Sequence, residues 1–91
     1  MTMIDVWVEI DGDHVAQSLQ EAQAKLENAD GEVVLEFSAV RRMNPPALRA
    51  IEDFVGAAEE KSVRVALRGV NIDVYKVLKL ARMSSRFSVV N

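Results

Sequence analysis

"VVLEFSAVRRMNPPALRAI", residues 33–51, changes its hydrophobic period half-way along. Val33, Leu35 and Phe37 alternate with Val34 and Glu36, the period of a strand with one buried face. From Ala47 onward the apolar positions Ile51, Phe54, Val55 and Ala58 recur at helical spacing. Between the two patterns stand Asn44, Pro45 and Pro46. The first backbone N–H groups of a helix have no intrahelical partner, so proline there removes nothing the helix needs, and its fixed φ suits a helix start. Asn44 just before it is a good N-cap. The stretch therefore reads as strand, loop and helix. The same helix start has lost donors that an anion-binding loop would use.

Working outward, "VWVEI" (6–10), "EVVLEF" (32–37), "VRVAL" (63–67) and "FSVV" (87–90) are rich in Val, Ile and Phe and read as strands. Helical patterns occupy 13–28, with Val15, Leu19, Ala22 and Leu26 on one face and Asp13 as the expected cap, then 45–60. A third occupies 72–82, with Val74, Val77, Leu78 and Ala81 on one face and Asn71 as cap. The order β-α-β-α-β-α-β predicts an α/β fold with a mostly parallel or mixed four-stranded sheet. Strands buried on both faces would be continuously apolar, yet these alternate, so the helices should pack on one face only. The other face should be wet, with Glu9 and Glu36 set against Arg64 and Arg68. That layering excludes a doubly wound nucleotide-binding sheet.

Ninety-one residues with 49% hydrophobic and 27% charged content suit one globular domain spanning 1–91. The absence of cysteine excludes disulfides and thiolate metal sites. "MTMIDVWVEIDGD" has no basic leader region, and no apolar run reaches membrane-spanning length, so a cytoplasmic protein without membrane insertion is expected. The net charge of −3 hides an asymmetry: residues 1–40 carry nine acids against Lys25, and residues 61–91 carry seven bases against Asp73. The bases alternate with apolar positions of a folded pattern, so the halves are expected to neutralise one another rather than bind nucleic acid.

Catalytic chemistry is not expected. His14, the single histidine, lies beside Asp11 and Asp13, but no further ligand or nucleophile is spaced to work with it. No nucleophile elbow, phosphate loop or dinucleotide motif occurs, and neither metal nor cofactor is implied. Glu52–Asp53 and Glu59–Glu60 fall on the outer face of their helix, where they read as solubilising charges. Two features go further. Ile72 and Tyr75 lie opposite the buried stripe of the last helix beside Lys76 and Lys79, a composition suited to an interface centre. Met43, Pro45 and Leu48 form an expected exposed apolar tip beside Arg41 and Arg42, on a helix whose Ala50 and Ala57 also widen its apolar arc. The alternative is a stiff loop with broad core contact.

"VVLEFSAVRRMNPPALRAI" together with "VALRGVNIDVYKVLKL" (65–80) resembles the STAS domain, the fold of bacterial anti-sigma factor antagonists. The first stretch is similar to that family's apolar strand, S-x-V turn, Asp-Ser-Ser-Gly or Asp-Ser/Thr-Gly-Gly loop and following helix. The second is similar to its last strand, turn and helix. A usual first hairpin strand has no counterpart here. In the loop, Asn44 stands in place of the family's Asp, Pro45 and Pro46 in place of its two hydroxyl residues, and Ala47 in place of its Gly. Regulated members are phosphorylated on the second hydroxyl by a partner anti-sigma kinase. Pro46 has no hydroxyl, and none of the nearest serines (Ser38, Ser84, Ser85) takes its place.

The resemblance implies a non-catalytic protein-interaction module, an antagonist-like partner switch without phosphorylation. Its partner surface would run from Arg41, Arg42 and Met43 through Asn44, Pro45 and Pro46 to Ala47 and Leu48, with Ile72 and Tyr75 as a second patch. The implied partner is an anti-sigma factor of the kinase type. Alternatives are the small STAS subunit on the ATPase of a lipid-transporting ABC system, and a structural subunit that assembles with itself, for instance as a homodimer.

Overall fold

The first three runs of alternating residues become strands whose apolar side faces the helices, while the short last strand is exposed at the sheet edge. The computed structural model describes residues 4–29 and 31–90. Its strands are β1 (Ile4–Glu9), β2 (Gly31–Glu36), β3 (Arg64–Arg68) and β4 (Ser88–Val90), and its α-helices are α1 (Val15–Gln23), α2 (Pro45–Glu60) and α3 (Ile72–Leu80). The strands lie in the order of the sequence, and every neighbouring pair is parallel. Parallel crossovers are right-handed almost without exception, so three steps in one direction place all three helices on one face. Val33, Leu35 and Phe37 of the β2 region accordingly meet Leu19, Ile51, Phe54 and Leu78 in a single buried cluster. The sheet is parallel throughout the described residues rather than mixed.

Two helix boundaries differ from the sequence reading. The first helical pattern divides into α1 and a 3-10 turn, Ala24–Asn28, a common tightening at helix ends that still buries Leu26. The residue at its cap position is His14, which makes no side-chain cap, so Asp13 is not the cap. The last helix stops at Leu80, not 82, because Arg82 adopts a left-handed φ of 61°. Arg82 N–H then bonds Lys79 O and Met83 N–H bonds Leu78 O, a closing motif in which glycine is usual. Ser62 (φ 58°) ends α2 in the same way.

The outer face of the sheet is drier than alternation suggests. Register sets Trp7, Val34, Ala66 and Ser88 in one row across the four strands. Val34 is only 8% exposed and Ala66 2%, although no helix residue joins them. The Arg68 guanidinium lies 5.4 Å from the centre of the Trp7 ring, although β2 runs between their strands. A long polar stem and an indole thus roof the row, a cation–π pair serving as cover. Arg68 also pairs with Glu36 at 3.1 Å, as expected, but Arg64 stands opposite Glu32, and Glu9 stands beside Glu36.

The Ser38 hydroxyl, which donates to Glu36, and the Arg68 guanidinium hold the Glu36 carboxyl below its ordinary pKa. A carboxyl depressed on folding adds stability that is complete above its unfolded pKa and is lost as pH falls through the folded value. Glu36→Gln should cost about 0.2–1 kcal/mol at neutral pH and blunt the acid end of the stability profile. Leu35→Ala should cost about 2–5 kcal/mol at any pH. Denaturant melts across pH check both; the reverse ranking would contradict the register.

Candidate protein-docking site

The loops that leave the carboxyl ends of β1, β2 and β3 converge on the start of α2. A parallel sheet collects its strand-to-helix loops at that end, the usual place for a site in α/β folds. The β2–α2 loop turns at Phe37, whose N–H bonds Arg68 O at 2.7 Å, and Val40 N–H closes back on Phe37 O. Val40 is buried and anchors the loop on the core.

Three further contacts fix it from both sides. A side chain at Gly12 would run into the Ala39 carbonyl, so the β1–α1 loop presses directly on the β2–α2 backbone. Gly69, at a φ of +74°, makes a similar approach to Ser38. Asn71 has two duties. Its Oδ1 accepts the Val74 N–H at 2.8 Å and caps α3, while its Nδ2 donates to the carbonyls of Val40 (3.1 Å) and Arg41 (3.4 Å). The cap was legible from sequence; the second duty joins residues about thirty apart and was not.

The start of α2 is poor in donors for an anion. Pro45 and Pro46 have no N–H, the Ala47 N–H is bonded to Asn44 Oδ1 at 2.8 Å, and the Leu48 N–H to Asn44 O at 2.9 Å. Of the four donors that a helix start leaves unpaired, those of Pro45 and Pro46 are absent and that of Ala47 is used, which leaves the Asn44 N–H. An open cleft between the starts of α1 and α2 is lined by Asp11, His14 and Gln17 on one wall and by Arg41, Arg42 and Pro46 on the other. Asp11 accepts from the Asp13 N–H and lies 3.2 Å from His14 Nδ1, and these partners lower its pKa. Among the described residues no group of three or more acidic or histidine side chains could hold a metal ion.

The expected partner surface divides. Arg41, Arg42, Asn44, Pro45 and Pro46 are exposed together at the rim, and Ile72, 69% exposed, adjoins them because Asn71 ties its helix to Arg41. Ala47 is buried against the core, and Met43 and Leu48 are packed partly on it, so the exposed apolar tip reduces to Pro45 and Pro46. Ala50 is buried as well, and the wide arc of α2 is core contact. Tyr75 is half-buried on the flank of α3. Ser84 and Ser85 follow α3, which runs away from the rim, so Ser38 is the only one of the three serines near the loop. Sequence reasoning overlooked Leu80, 84% exposed among Lys76, Lys79 and Arg82. Its place about 200° round the helix from Leu78, outside the Val74–Leu78 stripe, was the signal that could have found it.

A protein-family model, "Mlab, STAS domain", matches residues 2–90. The chain belongs to the STAS domain family. Its fold is that of solved STAS structures. A Thermotoga maritima protein assigned as an anti-sigma factor antagonist is 15% identical with a TM-score of 0.76, over 99% of this chain and 83% of its own. A sulfate transporter family protein from Wolinella succinogenes is 18% identical with a TM-score of 0.80, over 98% and 80%. No curated protein sequence matches. No helix of the described residues of this STAS domain is long and apolar enough to cross a membrane.

Asn71→Ala should cost about 0.5–2 kcal/mol through the lost cap. Asn71→Asp keeps a capping oxygen but sets a carboxylate against two carbonyls. Faster amide hydrogen exchange over residues 38–44 in Asn71→Asp, with the α3 amides still protected, is the expected result.

Proposed function

We propose that this STAS domain is a non-catalytic docking module that binds a protein partner through the rim formed by Arg41, Arg42, Asn44, Pro45 and Pro46, with Ile72 beside it. One observation carries the reading: Pro45 and Pro46 leave the first turn of α2 with no hydroxyl and two fewer N–H groups, yet its loop is held from both sides. A loop already ordered before binding loses little entropy on complex formation. The two arginines supply planar donors for carboxylates, and the proline pair supplies a stiff apolar contact.

By family likeness the partner is an anti-sigma factor of the kinase type, bound without phosphorylation control. A second reading, a small STAS subunit seated permanently on the ATPase of a lipid-transporting ABC system, is favoured by the rigidity of the loop. A phosphate switch needs a reachable hydroxyl; a constitutive subunit does not.

A pull-down from the native cell identifies the partner, and titration calorimetry measures the complex. Pro45→Ser with Pro46→Ser should leave the fold intact and weaken binding, and Pro46→Asp should weaken it further, by about ten-fold or more if the residue is a hot spot. Unchanged affinity in Pro46→Asp would remove the rim from the interface. Phosphate on Ser38 tied to partner release would mean that the switch has moved to that hydroxyl.

A further inference from the structure

Gly56 occupies the interior of α2, where only proline is less favourable. Packing does not demand it. A Cβ there would meet only Arg86 Nη2, at an ordinary 3.9 Å. One helical turn to either side stand Glu52, Asp53, Glu59 and Glu60, all exposed. Glu59 is paired with Arg86 at 2.8 Å, and Glu52 lies within electrostatic reach of the same guanidinium. Asp53 and Glu60 have no ion pair among the described residues. The helix surface thus carries a dimple with the Arg86 guanidinium along its Glu59 side and the unpaired carboxylates of Asp53 and Glu60 along the other.

The complement lies on α3. Leu80 is 84% exposed, more than any other large hydrophobic described. Lys76, Lys79 and Arg82 surround it, exposed and without an ion pair among the described residues. It is a protruding apolar knob ringed by unneutralised cations, on the same chain as a dimple edged on one side by carboxylates.

We propose that a second copy of this chain covers this surface, with Leu80 of one copy seated over Gly56 of the other. Lys76, Lys79 and Arg82 then face Asp53, Glu60 and Glu52. Glycine lets the knob approach the helix backbone, and the long cationic stems reach past it to the carboxylates. Because knob and dimple are different patches, a reciprocal pair closes as a two-fold dimer and a single contact extends as a chain. The contact is small and charged, so it is weak and salt-sensitive. It lies on α2 and α3 beyond their first turns and is independent of the rim proposed above.

Sedimentation velocity on the wild-type chain, from micromolar to millimolar concentration and at low and moderate salt, provides the test. Two charge-reversal pairs accompany it: Lys76→Glu with Lys79→Glu, and Asp53→Lys with Glu60→Lys. Wild type should self-associate at low salt, and each pair alone should weaken association by about ten-fold or more. An equimolar mixture of the two pairs should restore it, whether the assembly is closed or open. Leu80→Ala should weaken it as well. Circular dichroism verifies that these exposed variants fold. A wild-type monomer throughout, association indifferent to both reversals, or a mixture that stays monomeric would each overturn the proposal.

Discussion

The direction of the crossovers governs this molecule. Four parallel strands in sequence order leave every helix on one side, so a single cluster under α1, α2 and α3 holds the fold together. The opposite side receives no helix and must cover itself. Trp7 and Arg68 do so, meeting over β2 and removing Val34 and Ala66 from water. The same topology gathers the strand-to-helix loops at one end. There the Gly12 and Gly69 backbones press on the β2–α2 loop while the Asn71 amide ties it down.

In that loop the proposed docking rim is held in one shape by its surroundings. Its order is imposed by neighbouring loops rather than by the proline pair alone. The prolines decide something else: they remove two donors from the helix start, and the Asn44 side chain takes up a third, the Ala47 N–H.

Most of the architecture was readable because each strand obeys one period and each helix another. The order of elements, the buried faces of β2 and α2 and the caps Asn44 and Asn71 follow from residue type and spacing. Features that depend on residues distant in sequence were not readable. The Arg68–Trp7 roof spans three strands, and the Asn71 amide reaches back to Val40. The end of α3 was misplaced because Arg82, not glycine, takes the left-handed position. At the candidate site, the arginines and prolines were correctly placed at the surface, whereas Ala47, Met43 and Leu48 were drawn inward by the same amphipathic pattern that forms the core.

The roof over the outer face has an optical consequence. Trp7 is the sole tryptophan, half-exposed (51%) and stacked beneath a guanidinium on the side away from the helices. Native emission therefore comes from a half-exposed indole beside a fixed cation, and unfolding removes that cation. Events at the rim or on the helix layer occur on the other side of the sheet or at its end. Tryptophan emission of this chain is a gauge of the sheet's outer face, coupled to the β2–α2 loop only through Arg68, whose carbonyl holds the Phe37 N–H.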